Sequence, residues 1–341
     1  MKYRRFGRTE LEISEIAFGG GRSGGILIDA DDVTRRKAVR AALDHGINWF
    51  DTAPQYGQGK SEEALGWLLE EVPETPFVST KIMITEADHG YIAGAVERSL
   101  AQSLARLRRD SVDVLQLHNR IGITDTDRWI TAEQILGPNG VAEGMERLRE
   151  QGLIRFMGLT TLGDNHETRR VIESGRFDSA QVYYNLLNPS AAHAAMPTAW
   201  RGFDATGIMA ACKTQDMAIM AIRIFAASYL ASSVRTGRES ILTSNTEPDS
   251  EERMAKTLFG QIGDSYGNRA QTALRFALSN QNVSTAIIGL AEPRHLEEAV
   301  DGAAMGALPQ SALEKIETLY GTGFGAAQPD AGCDTSSKSG I

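Results

Sequence analysis

Short apolar runs alternate along the chain with longer segments in which apolar residues recur every three or four positions. The short runs predict strands at residues 16–18, 48–50, 77–79, 112–117, 156–159, 179–184, 218–222 and 285–288. The longer segments predict amphipathic helices, as in the series Ile92, Val96, Leu100, Leu104 and Leu107. Strands that alternate with helices pair in parallel through right-handed crossovers, so this pattern predicts an α/β protein with a closed (β/α)8 TIM barrel.

Some segments depart from the repeat. Residues 2–14 alternate weakly around Gly7, which predicts a short N-terminal β-hairpin that closes the barrel floor. Residues 187–207 and 227–264 are too long for plain connections, and they predict extended lid or pocket loops after the sixth and seventh strands. We expect one barrel domain over residues 1–320 and a mobile C-terminal tail over residues 321–341.

Composition limits the class of function. The net charge of −9 gives no long-range attraction to nucleic acid or to an anionic membrane. No apolar run approaches the roughly 20 residues of a membrane helix, and the N-terminus lacks the apolar stretch of a signal peptide. Cys212 and Cys333 are too few for a disulfide framework or a cysteine zinc cluster, so we expect inert thiols, no metal and a cytoplasmic location.

A glycine motif follows the first predicted strand. Gly19, Gly21 and Gly24 spell G-x-G-x-x-G, and an acidic residue lies about 20 positions further on, as in a Rossmann fingerprint. That fingerprint needs its last glycine inside a helix that opens at once, whereas residues 25–32 look like further loop. We therefore interpret the motif as a flexible loop whose backbone can approach a ligand.

Three ionisable residues each follow the last apolar residue of a predicted strand. Asp51, Lys81 and His118 end the second, third and fourth strands. In a barrel these positions meet at the C-terminal face, where the active sites of this fold lie, and neighbouring strands are about 4.8 Å apart. Singly, each residue is explained equally well as part of a buried ion pair or as a core histidine. Jointly, on consecutive strands, they predict a catalytic site.

The chemistry of carbonyl reduction fits these groups together with Tyr56. Hydride transfer to a carbonyl carbon requires a proton for the oxygen, and a free tyrosine with a pKa of about 10 is a reluctant donor. A Lys81 cation would lower the pKa of Tyr56, and Asp51 would hold that cation in place. Neutral His118 would orient the carbonyl oxygen. A Schiff-base lyase with Lys81 as nucleophile is an alternative use of the same groups.

At these residues the sequence resembles the aldo-keto reductase family. Residues 50–62 read F-D-T-A-P-Q-Y-G-Q-G-K-S-E, which is similar to the family signature D-T-A-x-x-Y-G-x-G-x-S-E, and Thr80-Lys81 and Leu117-His118-Asn119 supply the other tetrad positions. The resemblance covers about residues 3–320. It implies a barrel without a Rossmann domain that binds NADPH across its C-terminal face and acts on a small carbonyl or sugar substrate.

The resemblance also implies a set of site residues. The catalytic residues would be Asp51, Tyr56, Lys81 and His118, and the substrate would contact Tyr56, His118, Asn119 and Trp129. The residues implied for the cofactor are Gly20, Asp51, Thr160, Gln181, Arg223, Gly289, Arg294, His295 and Glu298. Among these, Thr160 and Gln181 would contact the nicotinamide amide, and residues 287–298 would hold the adenine and 2′-phosphate.

The chain departs from the family pattern at some cofactor positions. Thr161 stands where the family often has asparagine, and Arg223 stands where many members have serine, so Arg223 would reach an anion or form a salt bridge to a lid. His295 occupies the usual position of the 2′-phosphate arginine, with Arg294 beside it, which leaves NADH open as the cofactor. A cofactor-binding regulatory subunit, resembling the potassium-channel β-subunits of the same family, is the alternative function.

Overall fold

The chain forms a closed parallel barrel, as the sequence predicts. The computed structural model describes residues 1–22, 24–124, 126, 128–237, 239, 243 and 246–325. Its strands are β1 (Tyr3–Arg5), β2 (Glu12–Ser14), β3 (Ile16–Gly19), β4 (Trp49–Asp51), β5 (Phe77–Ile82), β6 (Val112–Leu117), β7 (Arg120–Gly122), β8 (Trp129–Thr131), β9 (Ile154–Thr160), β10 (Ser179–Tyr183), β11 (Ala218–Ile222) and β12 (Thr285–Gly289). Within these residues, eight strands close the barrel in the order β3, β4, β5, β6, β9, β10, β11 and β12. They are the eight strands that the hydrophobic pattern predicts.

Helices join the strands on the outside of the barrel. They are α1 (Ile26–Asp29), α2 (Asp32–Asp44), α3 (Lys60–Glu70), α4 (Ile92–Leu107), α5 (Ala132–Leu136), α6 (Val141–Glu150), α7 (Asn165–Glu173), α8 (Ile208–Thr214), α9 (Pro248–Ile262), α10 (Arg269–Ser279), α11 (Arg294–Ala304) and α12 (Gln310–Gly321). Side-chain caps fix several helix starts: Asp31 accepts a hydrogen bond from the Thr34 N–H at α2, and Asn268 begins a capping box at α10.

The N-terminal hairpin closes one end of the barrel. Strands β1 and β2 pair in antiparallel fashion, and Phe6, which follows β1, and Ile13 of β2 are fully buried. The Phe6 ring packs on the ring of Trp49, with 4.6 Å between centroids, inside a cluster that includes Val114 and Met220. Because Trp49 is the first residue of β4, this cluster lies at the N-terminal end of the strands. The opposite end is therefore the open face for a site.

The loops at the C-terminal face differ in part from the prediction. Residues 227–264, interpreted from the sequence as an irregular loop, contain helix α9, which begins at Pro248 and buries Ala255, Leu258 and Phe259 at helical spacing. A further excursion follows β6, where β7 and β8 pair in parallel. The sequence analysis missed this pair because strands of three residues are too short to show a period.

The C-terminal segment packs on the barrel as far as the structure describes it. Helix α12 ends at Gly321, and the buried ring of Phe324 contacts that of Tyr320, with 5.7 Å between centroids. Residues 326–341 lie outside the described residues, so the mobile tail stays a prediction. Within the described ranges, every helix is too short or too polar to span a bilayer.

Candidate active site

The side chains of Asp51 and Lys81 form an ion pair inside the barrel mouth. They end or nearly end the adjacent strands β4 and β5, and both point inward. Lys81 Nζ donates to Asp51 Oδ2 at 2.6 Å and to the backbone oxygen of Thr52 at 2.8 Å. Lys81 is 0% exposed and Asp51 is 3% exposed. A buried pair with this geometry holds both charges in fixed positions.

The second oxygen of Asp51 accepts three more hydrogen bonds. Ser79 Oγ and Gln181 Nε2 donate to Asp51 Oδ1 at 2.8 Å, and Gln116 Nε2 donates to it at 3.0 Å. Sequence reasoning missed Ser79 and Gln116. Each lies two positions before a predicted site residue, Lys81 or His118, and therefore on the same inward face of its strand. A polar residue at that spacing in an apolar strand is the signal that would have identified them.

Tyr56 lies directly above this pair, in the loop after β4. Lys81 Nζ is 4.8 Å from the centroid of the Tyr56 ring. The His118 ring meets the Tyr56 ring edge to face, with 5.7 Å between centroids and 87° between planes. Three consecutive left-handed residues, Gly57, Gln58 and Gly59, turn the chain back into α3 after Tyr56. The structure thus brings together the four side chains that the sequence analysis grouped.

The pKa of Tyr56 is shifted in the direction opposite to the expectation. Burial raises the pKa of the phenol above its usual value; the Lys81 cation opposes this shift and Asp51 reinforces it. Lys81 therefore acts with the expected sign, but burial is the larger effect. For Lys81 itself, burial lowers the pKa, but the attraction of Asp51 and Tyr56 outweighs burial and raises it. The site thus holds a lysine cation under a neutral phenol at pH 7.

His118 is neutral, as the sequence analysis expected. Burial lowers the pKa of its imidazole to about 3, and the positive charges of Lys81 and Arg128 act in the same direction. Its Nδ1 lies 3.2 Å from Gln55 Oε1. A neutral imidazole beside Tyr56 can hydrogen-bond a carbonyl oxygen but carries no charge into the site.

The predicted substrate contact at Asn119 is wrong. The Asn119 side chain is fully buried, its Oδ1 accepts from the Ile84 N–H and its Nδ2 donates to the Ile84 oxygen, each at 2.8 Å. The physical reason is that successive residues of an extended chain point to opposite sides, so that His118 faces the mouth and Asn119 faces the neighbouring loop. Asn119 therefore fastens the loop after β5 to the end of β6.

The cofactor role predicted for Gly20 is also corrected. Its N–H donates to the Asp51 backbone oxygen at 2.8 Å, and its own oxygen accepts from Ser61 Oγ at 3.0 Å. Both backbone polar groups are engaged, and a side chain at this position would collide with Ser61. Gly20 therefore joins β3, β4 and α3 and does not offer its backbone to a ligand. The neighbouring Gly24 is pressed against Leu290, and the motif follows a strand of the closed barrel, so it does not form a Rossmann turn. Residues 25–32, interpreted from the sequence as further loop, contain the short helix α1 and the first residue of α2.

Two observations test whether a flat cofactor ring fits beside Tyr56. A Cβ on Gly21 would lie 3.5 Å from Cζ of Tyr56, so the glycine keeps the space over this ring open. Thr160 Oγ1 is buried without a hydrogen-bond partner among the described residues, and it lies at the end of β9 beside Gln181 of β10. An unsatisfied hydroxyl beside a carboxamide suits an amide ligand. Thr161 is not free for this task, because its hydroxyl donates to the Gln181 backbone oxygen at 3.1 Å.

The other predicted cofactor and substrate positions surround the mouth. Gly289 ends β12 beside Gly19 of β3, and Trp129 lies in β8 with its ring 5.7 Å from the Arg120 guanidinium. Arg223 follows β11, and its charge acts on Glu251 of α9, whose pKa burial raises to about 7. The two roles expected for Arg223, a contact to an anion or a salt bridge to a lid, stay predictions.

The segment expected to hold a 2′-phosphate contains carboxylates that pair with its own arginine. Arg294 Nε donates to Glu292 Oε2 at 2.7 Å, and Arg294 Nη1 lies 3.6 Å from Glu298 Oε1. His295 Nδ1 accepts from the Ala291 N–H at 3.3 Å, which turns this nitrogen back into the helix start. The cation nearest to the expected phosphate is therefore shared between two carboxylates.

Neither thiol nor metal chemistry is indicated by the described part of the chain. Burial raises the pKa of the Cys212 thiol to about 12, and Cys333 lies outside the described residues. No group of three or more histidine, cysteine, aspartate or glutamate residues within the described ranges is arranged to hold a metal ion.

Comparison with known proteins agrees with this geometry. The model of the aldo/keto reductase family matches residues 15–320. The chain is 26% identical over 330 residues to pyridoxal 4-dehydrogenase of Microbacterium luteolum, covering 87% of this chain and 91% of the relative. It is 33% identical over 165 residues to L-galactose dehydrogenase of Arabidopsis thaliana. This matched segment is 48% of the present chain and only 49% of that relative.

A solved structure shares the whole fold. Aldo-keto reductase AKR11C1 from Bacillus halodurans, in its holo form, superposes with a TM-score of 0.72 at 21% identity, covering 94% of this chain and 96% of that chain. At this level of identity the likeness shows the barrel fold alone. The match of the family model across nearly the entire barrel goes further, and it shows that the chain belongs to the aldo/keto reductase family.

Proposed function

We propose that the protein is a nicotinamide-dependent oxidoreductase that reduces aldehydes, ketones or sugars, or oxidises the matching alcohols, with Tyr56 as general acid and base. The observation that carries this proposal is the buried Lys81–Asp51 pair directly beneath the Tyr56 ring. A bound nicotinamide supplies or accepts the hydride. The side chains described above manage the proton and the orientation of the substrate oxygen.

Each of the four groups has a role that its geometry supports. Tyr56 gives its phenolic proton to the carbonyl oxygen during reduction, and the Lys81 cation beneath it stabilises the phenolate that forms. Asp51 holds Lys81 in position. Neutral His118 hydrogen-bonds the carbonyl oxygen and aims it at the phenol. Thr160 and Gln181 would hold the amide of the cofactor, since Thr160 carries an unsatisfied hydroxyl.

Binding of a dinucleotide is the first experiment. Purified protein should bind NADH or NADPH, with a shift in cofactor fluorescence, and should then turn over some members of a panel of aldehydes, ketones and sugars. Tight binding without turnover over the whole panel, together with recovery of a membrane partner, would favour the regulatory subunit. Borohydride trapping of substrate on Lys81 would favour the lyase. A location in a reducing cytoplasm is part of the proposal and rests on the buried Cys212.

For the cofactor we propose NADH in preference to the NADPH that the family resemblance implies. Glu292 and Glu298 flank Arg294, so the three side chains together carry a net charge of about −1 at pH 7. A 2′-phosphate would meet repulsion from both carboxylates, whereas a ribose hydroxyl could donate a hydrogen bond to one of them.

Removing the two carboxylates should shift this preference. In the double variant Glu292→Gln with Glu298→Gln, we expect the ratio of kcat/KM for NADPH to that for NADH to rise about tenfold, because two repulsive charges are lost. Steady-state kinetics with each cofactor measures the ratio. Glu297→Gln is the matched control, since Glu297 lies beside Glu298 on α11 but its carboxylate contacts His45. An equal rise in the control would contradict the assignment.

Gln116 should affect the reaction through Asp51. Gln116→Leu removes one donor from Asp51 Oδ1, and it also removes the amide oxygen of Gln116, which has no partner among the described residues. These effects oppose each other in the free energy of unfolding, so we expect a change within about 1 kcal/mol. Turnover should fall about tenfold, and the Tyr56 pKa should rise because more of the Asp51 charge acts on the phenol.

The pH profile separates this positioning role from a general structural one. For alcohol oxidation, which needs the phenolate, the limb assigned to Tyr56 should move to higher pH in Gln116→Leu. Ser79→Ala removes another donor from the same oxygen and should move the limb in the same direction. Unchanged profiles and rates in both variants would show that these two donors do not influence the reaction.

A further inference from the structure

A cavity of about 680 Å³ lies outside the barrel, between helices α2, α3 and α4. The cavity is separate from the candidate active site, because the two share none of the residues that the structure describes. Its walls carry the side chains of Arg35, Lys60, Arg106, Arg108 and Glu63. The three arginines also pair with the nearby carboxylates of Asp32, Glu62 and Glu70, so within the described ranges Lys60 is the cation of the lining that brings an uncompensated charge. Trp67, whose ring carries the Arg36 guanidinium at 4.6 Å from its centroid, and neighbouring apolar groups complete the lining. The combination of converging cations with an aromatic wall is typical of a site for a phosphorylated small molecule.

The cations of this cavity have donors to spare. Arg35 and Arg108 each hold a carboxylate, Asp32 or Glu70, through one guanidinium nitrogen, and Arg35 Nη2 also donates to the Ile28 backbone oxygen at 3.0 Å. The Nε of Arg35 is a buried donor that lacks an acceptor among the described residues. Lys60 likewise has no carboxylate within ion-pair distance in the described part of the chain. A guanidinium carries five N–H donors and an ammonium three, so several remain for a multivalent anion.

Two residues of the cavity lining, Arg106 and Ile28, also pack on the loop that carries Tyr56. A Cβ on Gly59 would lie 2.8 Å from Cδ of Arg106, so the Arg106 side chain packs directly on the left-handed turn after Tyr56. A Cβ on Gly57 would lie 2.7 Å from Cγ2 of Ile28, which also lines the cavity. The turn therefore packs against two residues of the cavity lining, and Lys60 is the next residue along the chain.

A second connection leads to the catalytic lysine. Arg106 Nε donates to Glu62 Oε2 at 2.6 Å, and the other oxygen of the buried Glu62 accepts from Thr80 Oγ1 at 2.5 Å. Thr80 directly precedes Lys81 on β5. A shift of the Arg106 side chain would thus change the positions of both Tyr56 and Lys81, because packed or hydrogen-bonded contacts connect Arg106 to each of them.

We propose that this cavity binds a small phosphorylated anion and that its occupation restrains the turn of residues 57–59 that presents Tyr56. Lys60, Arg35 and Arg108 supply the charge and the hydrogen bonds, and Trp67 packs against the organic part of the ligand. The binding stands independently of the catalytic assignment. Its influence on turnover rests on the proposed function.

Inorganic pyrophosphate is a suitable probe of the binding. Titration calorimetry at constant ionic strength should show saturable binding, and Lys60→Gln should weaken it about tenfold through the loss of one charged contact. Lys37→Gln is the matched control, since it removes an exposed cation from α2 that does not line the cavity. Trp67→Phe should abolish the accompanying change in tryptophan emission. Thermal unfolding of each variant verifies that it is folded.

Hydrogen exchange tests the restraint without use of turnover. Pyrophosphate should slow exchange of the amides of residues 57–61 in the parent protein and in Lys37→Gln, but much less in Lys60→Gln. Absence of saturable binding, or equal affinity in Lys60→Gln and the parent, would show that the cavity is not the site. Binding with unaltered exchange at residues 57–61 would overturn the coupling to Tyr56. None of these outcomes depends on whether the protein reduces carbonyls.

Discussion

Replacing Tyr56 with phenylalanine should lower turnover by about a thousandfold while leaving dinucleotide affinity within a few-fold of the parent. General acid–base groups contribute about 10² to 10⁴ in rate, and the change deletes the phenolic hydroxyl that would transfer the proton. The phenyl ring retains its packing with His118 and Lys81. Cofactor titration and steady-state rates on the same samples measure the two effects separately.

The parent pH profile gives an independent check of the same assignment. Because the Tyr56 pKa is raised above 10, the phenol stays protonated from pH 6 to 9, and carbonyl reduction should be nearly flat over that range. Alcohol oxidation uses the phenolate, so its rate should climb with pH through 10. Because the pKa of His118 is lowered to about 3, its titration should not change either rate near pH 7. Tyr184→Phe, which removes a buried phenol stacked on Phe276, is the control. Retained turnover in Tyr56→Phe would refute the mechanism.

Replacing Lys81 with methionine should destabilise the protein by about 3 kcal/mol and also abolish turnover. The variant leaves the Asp51 carboxylate buried without its cation, a loss that commonly costs 3 to 5 kcal/mol. Ser79, Gln116 and Gln181 still donate to Asp51 Oδ1, so we expect the lower end of that range. Urea unfolding followed by circular dichroism measures the difference in the free energy of unfolding.

A second variant distinguishes the loss of stability caused by the unpaired Asp51 charge from the loss caused by poorer packing. Adding Asp51→Asn to Lys81→Met removes the unpaired charge, so the double variant should regain part of the stability but none of the turnover. A loss of less than 1 kcal/mol would mean that the ion pair contributes little to the fold.

Much of the fold was predictable because buried parallel strands leave a strong hydrophobic signal. The eight runs of apolar residues located all the barrel strands, and Asp51, Lys81 and His118 stood out because ionisable groups rarely follow such runs. Tyr56 has no such signal, since it lies in a loop. It was identified from the resemblance of the stretch around it to a family signature.

The errors have physical causes that a linear sequence conceals. Asn119 adjoins His118 in sequence but points the other way, and only the position of Ile84 reveals what it binds. The direction of the Tyr56 pKa shift depends on the balance between burial and the Lys81 charge, which requires three-dimensional distances. The spacing of Ser79 and Gln116 places them on the inward face of their strands, but only distances across β4, β5 and β6 show that both donate to Asp51.

The full set of hydrogen bonds to Asp51 has a consequence for how this barrel acquires new substrates. Lys81 and the three neutral donors fix the carboxylate during folding, before any ligand arrives, so the reactive centre needs no help from the substrate to assemble. Under the proposed function, molecules with few anchoring groups would then react as well as large ones. Selectivity would depend on the segments after β6, β10 and β11, which could diversify through mutation without disturbing the chemistry beneath them.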